Sequence, residues 1–335
     1  MNRFKSSVEV AATLSSDGID YELAVGSTIS EIVVSGPYED TKYENVKVVG
    51  FELAERPPFN PVAPVYDGVP CMGVVADGIA NMRDASKMML VKAIAGEVTE
   101  EGEPRMVVIP VDRISAINGS VIGEDGAVMT IVADAEGLEA ALELGGTVNI
   151  TEDVVVEKQN VIAANTVINA EGHTISNETD IWNDVDGVKT WSILSVQGEG
   201  IETVIENGEF VAKENDCYCV DVRDGAKLTV KGGTFNGNVS AIYVHTGELV
   251  VEGGEFMLQQ LSNLADKPYV HTLNCLDANF KNGTAKISVK GGKFHGFNPA
   301  AEPEGADTTY IAEGYESIEE SEGVFVIVPK EKVVE

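Results

Sequence analysis

Ser288-Val-Lys-Gly-Gly-Lys-Phe294 is one of four versions of a single phrase. The others are Val204-Ile-Glu-Asn-Gly-Glu-Phe210, Thr229-Val-Lys-Gly-Gly-Thr-Phe235 and Val250-Val-Glu-Gly-Gly-Glu-Phe256. Each runs from an apolar residue through a charged one and a Gly-containing turn to a polar residue and Phe. The Phe residues recur at intervals of 25, 21 and 38, a period that marks stacked repeats with one insertion. Units this short cannot hold a βαβ crossover, so equivalent strands of successive units are expected to pair in parallel as the chain coils. Glycine permits the sharp corner, and Phe just after it can stack on the Phe of the next unit. The predicted interior ladder is Phe210, Phe235, Phe256 and Phe294.

Other positions agree with this template. Leu228, Leu249 and Ile287 stand seven residues before their Phe, with Thr203 at that place in the first unit. Further strands are expected at Cys217–Val222, Ala241–Val244 and Thr272–Leu276. Val167-Ile-Asn-Ala-Glu-Gly-His-Thr-Ile175 reads as an earlier copy with Ile in place of Phe. Upstream, Leu138, Ala141, Leu142 and Leu144 suit one face of a short helix that Gly145-Gly146 ends, a candidate N-terminal cap. Residues 308–335 read as two strands around an acidic turn that close the other end. The fold class is therefore all-β: a compact β-rich domain over 1–132, a right-handed parallel β-helix over 133–307 and capping strands over 308–335.

In residues 1–132 the expected strands are Val8–Leu14, Tyr21–Val25, Ser30–Val34, Asn45–Leu53, Met106–Val111 and Ala127–Val132. A helix is expected around Ile79–Ile94, and the prolines of 57–70 predict an extended loop. The chain of 335 residues has 23 basic and 55 acidic side chains, a net charge of -32, of which -10 falls in 1–132 and -22 beyond. Such a charge opposes nucleic-acid and anionic-membrane binding, and no apolar run reaches the length of a membrane-spanning helix. Glu9 interrupts the only apolar stretch near the start, so no export signal is expected. Cys71, Cys217, Cys219 and Cys275 read as reduced core thiols, with Cys217 and Cys219 facing the same side of a strand.

The repeated strand-Gly-Gly-x-Phe units, with Phe297-Asn-Pro, Tyr310-Ile-Ala-Glu-Gly-Tyr315 and Gly323-Val-Phe-Val-Ile-Val-Pro329, resemble β-helix proteins of gut bacteria and their phages. The helix-Gly-Gly-Thr-Val segment is similar to the start of pectate-lyase-like and tailspike β-helices. The layout resembles phage head fibres and capsid decoration proteins. That resemblance implies a non-enzymatic virion structural protein, assembled in the host cytoplasm and displayed on the virion surface. Its implied partners are a major capsid protein or another virion protein, bound through 1–132, with a homotrimer and host-surface or mucosal glycans as further candidates. The alternative is a tailspike-like carbohydrate-active enzyme or a sugar-binding adhesin.

The residues favour binding over catalysis. Paired carboxylates can cleave a glycosidic bond at suitable separation, which draws attention to Asp221 and Asp224 with Arg223 and His245 nearby, to Asp277, and to the loop Glu178–Asp186. All are read as solvated surface, leaving no catalytic residue assigned and no cofactor. Asp180–Asp186 followed by Gly187 invites comparison with a calcium loop, but Trp182 and Ile193 occupy positions where carboxylates are needed, and no metal is assigned. The four histidines, His173, His245, His271 and His295, lie in separate units. Trp182, Trp191, Tyr218 and Tyr243 are the ring candidates for ligand contact.

Overall fold

The computed structural model describes residues 12–16, 19–36, 38–54, 65–66, 69–70, 88–98, 102–110, 113–123, 125–260 and 271–331. Two compact units emerge, Met1–Ala127 and Val128–Glu335. The protein is mainly β-structure with parallel sheets. No described helix is long and apolar enough to cross a membrane. Cys71 lies outside the described residues.

The first unit holds an antiparallel sheet in the order Ile114–Ile122, Thr28–Val34, Thr41–Ala54, Met88–Val98 and Pro104–Pro110. Ile29, Ile32, Val46, Val48, Ala93, Ile109 and Ile117 fill its buried side. Ala12–Ser16 and Ile19–Leu23 form a separate hairpin, and Val65–Tyr66 with Val69–Pro70 a two-residue one. The helix expected at Ile79–Ile94 is corrected over its second half. Met88–Val98 is a strand, because a short apolar run satisfies helix and strand alike until partners on both sides decide. Residues 79–87 lie outside the described set.

In the second unit the chain makes successive circuits, five of which add one strand to each of three parallel sheets and the last of which adds to two of them. The first sheet contains Gly146–Ile150, Thr166–Asn169, Glu202–Ile205, Lys227–Val230, Gly247–Val251 and Ala285–Val289. The second contains Val154–Val156, Thr174–Asn177, Glu209–Val211, Thr234–Gly237, Glu255–Leu258 and Lys293–His295. The third contains Asn160–Ile162, Ser192–Gln197, Tyr218–Arg223, Ile242–Val244 and Leu273–Cys275. Val128–Val132, assigned from sequence to the first region, instead pairs in parallel with Gly146–Ile150.

The register aligns the repeat copies. Phe210, Phe235, Phe256 and Phe294 are mutual partners, fully buried, with ring centroids 4.8, 5.2 and 4.9 Å apart and planes within 9° of parallel. Those separations match the ordinary spacing between strands, so backbone pairing and ring stacking are satisfied together. Ile175 and then Val154 continue the column. Thr203, Leu228, Leu249 and Ile287 form a second column in the first sheet.

The two glycines of each corner have different duties. A Cβ on Gly253 would lie 2.2 Å from the Lys231 carbonyl oxygen of the preceding circuit, while Gly254 adopts φ 100°. The first glycine allows the circuits to approach and the second allows the chain to turn. In the first copy Asn207 replaces the leading glycine, and its Oδ1 accepts the Ala170 N–H at 2.7 Å.

The ends are covered differently. Helix Ala135–Leu144 buries Leu138, Ala141 and Leu142, and Asp134 caps it by accepting the Gly137 N–H at 2.8 Å. Leu144, expected on that face, is instead exposed. At the other end Val324–Pro329 pairs antiparallel with Lys293–His295 and with Tyr315–Ser321. The outermost strand carries Glu316, Glu319 and Glu320, charges that discourage a further strand from adding.

Candidate ligand-binding face

The third sheet departs from simple alternation, and that departure makes the site. Cys219 and Val220 both donate their N–H to the Ala241 carbonyl, at 3.0 and 3.3 Å, and both side chains are buried in the core. This is a bulge, with two residues facing one partner. One circuit later Ala241 and Ile242 share the Thr272 carbonyl at 2.8 and 3.1 Å. Repeating the bulge lets Cys217, Cys219, Val220 and Val222 face the core while Tyr218, Asp221 and Arg223 face away from it. The Tyr218 and Tyr243 rings stack at 5.0 Å.

Asp221, read from sequence as a solvated carboxylate, is fully buried. It pairs with Arg223 Nε at 2.5 Å and accepts the Ser192 hydroxyl. The Arg223 guanidinium lies over Trp191, 4.4 Å from the ring centroid, and its Nη1 donates to the Lys189 carbonyl at 3.0 Å. His245 meets the same indole at 5.4 Å. Burial, with Lys189 and Arg223 adding like charge, lowers the His245 pKa. Burial pushes the Tyr243 phenol up to about 12.

Over this face folds a hairpin, Asn183–Val185 paired with Val188–Thr190. Its turn is Asp186-Gly187, with φ 56° and 82°, the left-handed pair that a two-residue hairpin requires. The stretch compared with a calcium loop is thus a hairpin with Asp184 and Asp186 exposed, while Asp180 pairs with Lys213 at 2.7 Å. Among the described residues no cluster of three or more His, Cys, Asp or Glu side chains could hold a metal ion.

Asp216 anchors the hairpin at its base. Its carboxylate accepts the N–H groups of Ile181 and Trp182 at 2.9–3.1 Å and the Asn177 amide at 2.8 Å. Arg223, through Lys189, holds the other strand. The four predicted rings come together, Trp182 stacked 6.4 Å from Trp191 and Trp191 edge to face with Tyr243 at 6.1 Å, but they are exposed unequally. Trp191 is only 7% exposed and lies within the Arg223–His245 cluster, whereas Trp182 is 42% exposed. Trp182 meets Tyr218 edge to face at 5.5 Å.

Beside Trp182 opens a cleft of about 630 Å³. Trp182 and Tyr218 supply its rings, Asn215, Asn238, Asn274 and Gln260 its amides, and Asp180, Asp216 and Ser240 further oxygen atoms. The sequence reading missed the amides and Asp216, which look like ordinary loop residues. Their signal was positional, since Asn274 lies one circuit from Tyr243 in the third sheet and Asn238 one circuit from Asn215, whose N–H its Oδ1 accepts at 3.0 Å.

The remaining candidates do not join this site. Asp224, with φ 59°, forms a tight turn with Gly225, and Asp277 begins the short helix Asp277–Asn282. Glu178 is exposed. His295 faces Glu255 at 2.6 Å and His173 approaches Asp153 at 3.9 Å. His271 packs on Phe297. A separate buried group at the last circuit joins Tyr310, Glu304 and Cys275. The Tyr310 hydroxyl donates to Glu304, and Cys275 Sγ lies 3.2 Å from the same carboxylate oxygen.

Comparison with protein-family profiles, with curated proteins and with solved structures finds no match to this chain.

Proposed function

We propose that residues 133–307 form a right-handed parallel β-helix and that the protein is a non-enzymatic virion component, a phage head fibre or capsid decoration protein. Its first unit attaches to a major capsid protein or another virion protein, and its second is displayed outward. The observation that carries the reading is the in-register column of Phe210, Phe235, Phe256 and Phe294 within three parallel sheets. It describes a stiff, dry-cored scaffold suited to display. Right-handedness follows the strong preference of parallel crossovers.

Two buried carboxylates favour binding over catalysis. Asp221 is held by Arg223 and Ser192, and Asp216 by backbone and amide donors, so neither is presented as an acid or a nucleophile. Immunogold electron microscopy of phage particles from the producing culture, using antibodies to the full chain, tests the role. Labelled heads support it, and particles lacking the chain overturn it. The exposed Trp182 beside its cleft favours a second reading, a tailspike-like carbohydrate-active enzyme or sugar-binding adhesin. Release of reducing ends from polysaccharide by the purified protein would select the enzyme.

A further inference from the structure

We infer that the cleft beside Trp182 is a binding site for an uncharged, hydroxyl-rich ring, the pyranose of a neutral glycan. This rests on the sugar-binding reading and deepens it with a place and a ligand class, and it stands whether or not the chain belongs to a virion.

The rings set the shape. Trp182 and Tyr218 meet at 88°, forming two walls of a corner, and Trp182 leaves 42% of its surface open. A pyranose has an apolar C–H face that lies against such a wall and hydroxyls that point from its rim. The polar lining suits those hydroxyls. Amides of Asn215, Asn238, Asn274 and Gln260 offer both donors and acceptors, and a hydroxyl is also both. Asp180 contributes a further acceptor oxygen, while the Asp216 carboxylate is taken up by the Ile181 and Trp182 N–H groups and the Asn177 amide.

Charge selects within the class. Asp180 and Asp216 line the cleft, no Lys or Arg does so among the described residues, and Lys213 is paired with Asp180 at 2.7 Å. The chain as a whole carries -32. Sialylated, uronic and phosphorylated ligands therefore meet repulsion without a compensating fork of donors. The volume of about 630 Å³ lies in the range of small-ligand pockets.

The site is also built to keep its form. Asp216 fixes the backbone of Trp182, and neighbouring parallel strands fix Tyr218 and Asn274. Little ordering remains to be done when a ligand arrives, which favours affinity from a small contact area.

The test uses labelled full-length chain on an array of neutral oligosaccharides and their sialylated or uronic-acid counterparts. Binding is expected to neutral members, weaker by at least ten-fold in Trp182→Ala and Asn274→Ala, and largely retained in Trp182→Phe. Thermal unfolding of each variant checks that the fold persists. Should Trp182→Ala fail to fold, Asn274→Ala and Trp182→Phe carry the comparison. Selection of acidic glycans, no neutral glycan bound, or unchanged binding by folded Trp182→Ala and Asn274→Ala would overturn the assignment.

Discussion

Phe235 and Phe256 lie 5.2 Å apart with planes 9° from parallel, on strands paired residue for residue. Each ring is therefore a floor for one circuit and a ceiling for the next. Phe235→Ala removes both contacts and leaves a cavity that the flanking rings cannot fill without breaking strand register. A loss of about 3–5 kcal/mol is expected, read from the shift in urea midpoint. Phe235→Leu should cost less because much of the volume remains.

Gly253→Ala and Gly172→Ala separate two kinds of glycine. At Gly172, φ is 80° and the surrounding space is open, so alanine costs about 1–2 kcal/mol of backbone strain. At Gly253 the added carbon meets the Lys231 carbonyl at 2.2 Å, and the circuits must separate. The urea midpoint should fall further for Gly253→Ala than for Gly172→Ala.

Asp216→Ala releases the hairpin. It leaves the Ile181 and Trp182 N–H groups without their carboxylate, a loss of about 1–3 kcal/mol. Trp182 fluorescence should shift to the red and become more easily quenched by acrylamide. An unchanged spectrum in a folded variant would show that the hairpin holds without this anchor.

His245 links stability to pH. Its pKa in the folded protein is depressed below the ordinary histidine value of 6.5 by burial and by Lys189 and Arg223, with Asp224 and Asp221 opposing. Below 6.5 the unfolded chain takes up the proton more readily than the folded one. The His245 contribution is thus complete above 6.5 and is lost as pH falls through the folded pKa. Chemical denaturation between pH 7.5 and 5 should show a shallower fall for His245→Gln than for the unaltered chain.

The thiols of Cys219 and Cys275 are pushed up to about 12 by burial, and Cys217 is raised further for the same reason. At pH 8 almost none of any of the three is thiolate. Mass spectrometry after iodoacetamide should find them unmodified in the native protein and alkylated in urea.

The Phe column was legible because the same Gly-turn neighbours precede each Phe, at intervals of 25, 21 and 38 residues, and a parallel register turns that recurrence into contact. The glycine corners were legible for the same reason. Asp221 was misjudged because the bulge at Cys219–Val220 and the overlying hairpin decide its exposure, and neither follows from strand alternation. The hairpin did have a local sign in Asp186-Gly187, hidden by its likeness to a cation loop. Met88–Val98 shows the opposite limit: its apolar residues suit either periodicity, and the choice rests on Thr41–Ala54 and Pro104–Pro110, distant in sequence.

The reversed direction of Val324–Pro329 has a consequence for how this protein can change length. In the second sheet a further Gly-Gly-x-Phe strand finds no co-directional template beyond it, so the Phe column lengthens by duplication inside, where the circuit from Phe235 to Phe256 spans 21 residues. Each duplicated circuit would advance the stack by about 4.8 Å. The second sheet is in this sense a ruler, graduated from within.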